Sequence, residues 1–341
     1  LIEYYKGVVV VLIFLSIPYK KYNFNDIIFP LVIGGIFVAI YSIFESSSAT
    51  TEVLISGGKI VGKASYAIWG PFGGATYFEL ANFLPLVVGI LYSMSLTKSG
   101  FQSLFLLTLT IFVSWPSLFS GSRTSLFLAI LVVLLVSVQN IKKGLKGLSK
   151  LLLLLIVFEL SANLFSNSSF GENEAIDRAQ SFERSDTTAS HNSIKDRFLQ
   201  LTNFPLQRYD QDLTALFGAG FYVAPIDGRF RIGYGIHNIY LFPLEQAGIV
   251  AFLIFVYFLY SINKIFIESI KIMKSSFKEY YFIIAVKAYF YSMLVAGLFG
   301  SHIFWRGFNT NNHNTLKILL FVIIAMLVKN YTKKGTIKTL N

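Results

Sequence analysis

The residues whose types and spacing could do chemistry are a few arginines and one histidine set in an apolar chain. Arg123 stands in Ser120-Gly121-Ser122-Arg123-Thr124-Ser125, where a loop enters the apolar run 124–139. The start of a helix offers free N–H groups and the positive end of its dipole. An arginine and two hydroxyls there predict an anion site, the alternative being an arginine that snorkels to lipid head groups. His237 stands in Gly235-Ile236-His237-Asn238-Ile239-Tyr240-Leu241, at the end of a long polar stretch. A neutral imidazole takes a proton from a hydroxyl near neutral pH. Glu245 follows eight residues later. In one continuous helix that spacing brings both side chains to one face, and an acid in an apolar helix is costly enough to need a reason. The alternative for His237 is a capping or loop hydrogen bond. Arg178, Arg184, Arg197, Arg208, Arg229 and Arg231 lie in the polar stretch, the last two just before His237. Most of these are expected to pair with nearby acids or face water, and selected ones are candidates to grip a phosphate through two nitrogens. Arg306, in Ser301-His302-Ile303-Phe304-Trp305-Arg306, is a candidate to face the same cavity. Four His without a spaced cluster argue against a metal site. Without Cys, disulfides and thiol catalysis are excluded.

The elements that must position these residues are apolar helices. Of 341 residues 54% are hydrophobic and 14% charged, with mean hydropathy +0.61, against roughly 25% charged in soluble domains. That composition excludes a soluble enzyme, a nucleic-acid-binding module and a disordered chain. Nine apolar segments are expected to cross a membrane, near 7–18, 27–44, 77–97, 101–119, 124–139, 148–165, 238–262, 280–300 and 315–329. If residue 1 lies outside, the inside loops hold fifteen lysines, among them Lys98, Lys142, Lys143, Lys150, Lys264, Lys271 and Lys333. The short outside loops hold Lys59, Lys63, Arg123 and Arg306. This asymmetry orients the chain and accounts for a net charge of +11 without nucleic acid. Lys287, inside the run 280–300, is expected to snorkel toward its inner end. The chain begins with Leu and no n-region precedes the first apolar run, so N-terminal helices are expected to be missing.

The polar stretch 166–236 holds nine acidic and seven basic residues and falls outside by this topology. It is too long for a simple connector, and loops of this kind carry binding and catalysis. Its second half, with Ile194, Phe198, Leu201, Leu206, Leu213 and Leu216, predicts helices at the membrane surface. The expected organisation is all-α and polytopic: N-terminal helices over 1–165, a large outer loop over 166–236, and three helices with a basic tail over 237–341. Arg123, the loop arginines, His237 and Arg306 then share the outer surface. Cations suit a diphosphate, a base suits a sugar hydroxyl, and a body with 34 Phe and 19 Tyr suits a lipid tail. The expected substrate is a lipid-diphosphate-linked sugar in the outer leaflet.

Three blocks resemble the O-antigen ligase and O-antigen polymerase superfamily of bacterial envelope glycosyltransferases. Ser120-Gly121-Ser122-Arg123-Thr124-Ser125-Leu126 is similar to its Gly-Ser-Arg-Thr motif at a helix start. Arg197 followed by Leu216-Phe217-Gly218-Ala219-Gly220 is similar to the loop arginine and Gly-x-Gly. His237-Asn238-Ile239-Tyr240-Leu241 with Glu245-Gln246-Ala247-Gly248-Ile249 is similar to its His-Asn-x-Tyr-Leu and Glu-x-Gly block. The resemblance covers about 100–300, and the Trp that usually follows the loop arginine is replaced near Leu201, which makes Arg208 the reserve for Arg197. It implies a GT-C-like membrane fold of about twelve helices, three more than counted here. It also implies no metal or other cofactor, and an undecaprenyl-diphosphate-linked glycan as partner in the bacterial inner membrane, with the large loop in the periplasm. By carry-over Arg123 and Arg197 bind the diphosphate, His237 activates the acceptor hydroxyl, and Asn238, Tyr240 and Glu245 support it. The expectation is a metal-independent, inverting polymerase of lipid-linked repeat units in polysaccharide biosynthesis, with a chain-length regulator as a candidate partner. The alternatives are a ligase that transfers the glycan to lipid A core or another acceptor, and a non-enzymatic transporter of lipid-linked glycan.

Overall fold

The computed structural model describes residues 25–48, 52–56, 59–64, 77–119, 123–139, 149–156, 159, 216, 238–273 and 277–298. Six helices are named in chain order: α1 (Asn25–Ser48), α2 (Tyr77–Ser95), α3 (Gly100–Phe119), α4 (Arg123–Gln139), α5 (Leu241–Met273) and α6 (Phe277–Ala296). Residues 149–156 are also helical. The expected spans 7–18 and 315–329 lie outside the described residues, as does the loop 166–236 apart from Leu216.

One element departs from the all-α expectation. Strands β1 (Glu52–Ser56) and β2 (Lys59–Ala64) pair antiparallel, from Ser56 opposite Lys59 to Glu52 opposite Ala64, with an irregularity between Leu54 and Ile55. Gly57 and Gly58 connect runs rich in Val and Ile, a hairpin signal that hydropathy counting passes over.

Helices α2 and α6 are the core. In α2 Leu84, Leu86, Val87, Val88, Ile90, Leu91 and Tyr92 are buried together, and in α6 every residue from Tyr281 to Val286 is. A helix apolar all round is one enclosed by others: α2 packs on α1, α3, α4 and α6, and α6 on α2, α4 and α5. The outer helices bury one stripe each. In α4 that stripe is Leu128, Ala129, Val132, Val133 and Val136, while Phe127, Leu134 and Val138 face outward. In α1 the outward stripe is Phe29, Ile33, Phe37, Ile40 and Phe44. A bundle standing in water carries polar residues on such faces.

Among the described residues two helices are long and apolar enough to cross a membrane, over Gly100–Ser117 and Ala247–Lys271. In the second, the continuous arm from Ile249 to Lys271 extends about 34 Å against a hydrocarbon core of ~30 Å. The apolar parts of α1, α2, α4 and α6 are shorter: Ile28–Ser42, Phe83–Ser95, Leu126–Gln139 and Tyr280–Ala296. Hydroxyls inside the bundle turn back on their own helix: Thr110 donates to the Leu106 carbonyl, Ser114 to Ile111, Ser137 to Val133 and Ser292 to Ala288. Polar groups in an apolar interior need such partners.

Candidate functional site

The block 237–249 opens α5, and its geometry follows from one side chain. Asn238 precedes the first helical residue, and its Oδ1 accepts from the backbone N–H of Tyr240 at 2.8 Å and of Leu241 at 3.0 Å. Asparagine is among the best residues for this capping role because its short carbonyl reaches the free donors of the first turn. Pro243 in that turn has no N–H to leave unsatisfied. The Asn238 amide works in the other direction, donating to the Leu298 carbonyl at 2.9 Å.

Its neighbours extend the contact. The Ile239 N–H donates to the Gly297 carbonyl at 2.8 Å, and the Tyr240 hydroxyl to the Leu294 carbonyl at 2.9 Å. The last carbonyls of a helix lack partners within it, and here the end of α6 receives them from the start of α5. Two helix ends thus satisfy each other in a buried clamp: Asn238 is 2% exposed and Ile239 fully enclosed. Gly297 permits the approach, since a Cβ there would stand 2.3 Å from Cδ1 of Ile239.

Helix α5 then breaks at Gly248, whose φ of 75° and ψ of −171° lie where only glycine is at ease. The Tyr240 and Phe255 rings meet at 6.4 Å between centroids. Along a straight helix the two residues would stand about 22 Å apart, so the leading arm 241–247 folds back on the long arm from Ile249. This corrects one expectation: the run 238–262 is a corner and not a single straight span. The expected pairing of His237 with Glu245 lies outside the described residues.

Arg123 is the first residue of α4, the helix start expected for it. Its relation to the clamp follows from α2. Tyr92 bonds Ser137 of α4 at 2.8 Å, and the Ser93 hydroxyl donates to the Tyr281 carbonyl of α6 at 2.8 Å. These segments of three helices are therefore level. From there α4 reaches back to Arg123, about 21 Å away, and α6 runs on to Ala296, about 22 Å away, in the same direction. Arg123 and the Asn238 clamp accordingly share one end of the bundle. The opposite end holds lysines. Lys150 Nζ donates to the carbonyls of Ser95 at 2.6 Å and Lys98 at 3.2 Å, tying the segment 149–156 to the corner between α2 and α3.

Lys287 is half-buried near the middle of α6, and its ammonium sits 5.3 Å from the centre of the Tyr291 ring, one turn toward the clamp. The Tyr291 hydroxyl in turn donates to Oδ1 of Asn263 on α5. A tyrosine anchored to the next helix thus presents its ring to the cation.

No family model, curated protein or solved structure matches this chain. The site is therefore read from its own geometry. The structure brings together Asn238 and Tyr240 and places Glu245 on the leading arm, three residues before the corner. His237, Arg197, Arg208, Arg229, Arg231 and Arg306 lie outside the described residues, as do the remaining loop arginines. Among the described residues no group of three or more His, Asp or Glu could hold a metal ion. Hydropathy and charge do not reveal the carbonyls of Leu294, Gly297 and Leu298 as partners of the block; the small residue Gly297 is the only sequence signal for that approach.

Proposed function

We propose that the chain is a multi-pass membrane glycosyltransferase of the O-antigen polymerase or ligase type. It would act on an undecaprenyl-diphosphate-linked glycan at the outer face of a bacterial inner membrane. The observation that carries this reading is the common end of Arg123 and the Asn238 clamp, opposite the end with Lys98 and Lys150. With lysines inside, an anion-binding helix start and the attachment point of His237 both face outward.

In this mechanism the clamp fixes the chain immediately after position 237. The imidazole of His237 takes the proton from the acceptor hydroxyl as that oxygen attacks the anomeric carbon, with inversion. The bond to the lipid diphosphate breaks in the same step. Arg123, with Arg197 or Arg208, offsets the charge that develops on the leaving diphosphate. Arg229, Arg231 and Arg306 are further candidates for that role, and Glu245 supports the acceptor side.

The test is transfer by the purified full chain in liposomes, with a lipid-diphosphate glycan donor. A ladder of lengthened lipid-linked product supports a polymerase. Transfer only onto a core oligosaccharide acceptor supports a ligase. Absence of transfer to either acceptor, with intact protein in the bilayer, overturns the reading.

A further inference from the structure

Two charges of opposite sign stand in the middle of apolar runs, and the proposed mechanism uses neither. Glu159 lies in the run 148–165, of which residues 149–156 and 159 are helical. Leu152, Leu153, Ile156 and Glu159 are exposed, and their spacing puts them on one outward face. Lys287 is the other charge. Between positions 280 and 298 the residues not fully enclosed are Tyr280, Lys287, Tyr291, Leu294, Val295 and Leu298, again one face at helical spacing. Neither charge has an ion-pair partner among the described residues. Charges at such depth in a membrane helix are rare and pair with one another or face a polar cavity.

The two stand at one level of the bundle. The Ser93 hydroxyl donates to the Tyr281 carbonyl. Lys287 is six residues beyond Tyr281, and Ser95 two residues to the other side of Ser93, so Lys287 lies about 12 Å above the level of Ser95. Lys150 bonds the Ser95 carbonyl. From there its segment rises toward the clamp end, because Leu154 and Leu155 meet Val88 of α2 around a small void. In a continuous helix Glu159 stands about 13 Å beyond Lys150. The depths match, but the two faces do not meet within one chain. The segment of Glu159 adjoins Thr110 and Ser114 of α3 and Ala129 of α4, whereas Lys287 and Tyr291 lie on the side of Asn263 and α5.

On the reading that these helices lie in a bilayer, we propose that the chain associates with a second copy of itself, Glu159 of one copy pairing with Lys287 of the other. Opposite charges at equal depth on two open faces of one chain meet when two copies stand side by side in the same orientation. The apolar face of Leu152, Leu153 and Ile156 then lies along the open face of α6, and each charge loses its contact with hydrocarbon. No transfer activity is needed for this, and the contact is separate from the clamp.

The native chain has no Cys, so Ser99→Cys in the full-length protein takes a single donor or acceptor dye at an exposed position. Donor-labelled and acceptor-labelled copies are reconstituted together in phosphatidylcholine liposomes, and energy transfer is followed as lipid is added. Only protein that floats with the liposomes and resists alkaline extraction is measured. The expected result is energy transfer that falls with dilution as a self-association equilibrium. Glu159→Gln and Lys287→Gln should each weaken that association about tenfold, the range of a polar contact between membrane helices. Glu159→Lys alone and Lys287→Glu alone should stay at the background of random proximity, since each copy then carries two like charges. An equimolar mixture of these two variants should associate as wild type does, because every contact between unlike copies again joins a lysine to a glutamate. Wild type at background, association untouched by either Gln variant, or a mixture no better than its components overturns the pairing while leaving the bilayer reading in place. Wild-type protein that alkali extracts from the liposomes overturns both.

Discussion

Replacing Asn238 with Ala removes three hydrogen bonds at one stroke: those from the N–H groups of Tyr240 and Leu241, and the one to the Leu298 carbonyl. Loss of a helix N-cap costs about 0.5–2 kcal/mol, and a buried carbonyl left without a donor costs about 1–3 kcal/mol. At 2% exposure water does not replace either partner. The bonds of Ile239 to Gly297 and of Tyr240 to Leu294 remain, so the segment loosens without leaving. The expected loss is about 2–4 kcal/mol, read as a fall in melting midpoint on the order of 3–6 °C for a chain of this length. Asn238→Asp separates the two functions. A carboxylate still caps the helix, but an acceptor then faces the Leu298 carbonyl, so the cap survives and the clamp fails. The assay is thermal unfolding of the detergent-solubilised full chain, paired with amide exchange of peptides covering 238–242. Faster exchange in that peptide is expected for Ala, with partial protection retained for Asp. A midpoint within about 1 °C of wild type and unchanged exchange in the Ala variant would refute the clamp.

Gly248→Ala forces a side chain into a backbone region reserved for glycine, and about 1–3 kcal/mol of stability should be lost; a melting midpoint equal to wild type would mean that α5 does not turn there. Arg123→Lys keeps the charge but loses the planar fork that grips two phosphate oxygens. Transfer should fall roughly tenfold at unchanged expression, and full activity would return Arg123 to the lipid head groups. Cysteine placed at Ser185 should react with an impermeant thiol reagent in outer-permeabilised cells. Labelling only after inner-membrane lysis would place the polar stretch on the other side.

Helices α1, α2, α3, α4 and α6 were legible as apolar runs because a helix enclosed by others, or by lipid, needs no polar face. The start of α4 at Arg123 was legible as well, since Ser120 to Ser125 carries the residues that end a loop and open a helix. The corner in α5 was not: Gly248 sits inside a stretch counted as one apolar segment, and a single glycine there reads as tolerated until its φ is seen. The hairpin at 52–64 was hidden for the opposite reason, being too short to register in a count of membrane-length segments. The clamp is a contact between residues 54 to 60 positions apart. Its acceptors are backbone carbonyls, which every residue has, so sequence marks the donors Asn238 and Tyr240 and leaves their partners unspecified. Lys287 was read from its own charge alone; the ring that faces it belongs to Tyr291, which Asn263 of another helix positions.

The most direct measurement is the transfer rate of the His237→Gln variant, in liposomes with a lipid-diphosphate donor and a chelator present. Glutamine keeps the size and hydrogen bonding of the imidazole but takes no proton at neutral pH. With a base at position 237, the rate should fall about 10²–10⁴-fold, while the melting midpoint and the exchange of the 238–242 peptide stay at wild-type values, because the clamp begins at Asn238. A variant that retains more than about a tenth of the wild-type rate, a loss smaller than general-base catalysis supplies, would contradict the assignment of His237 as the base.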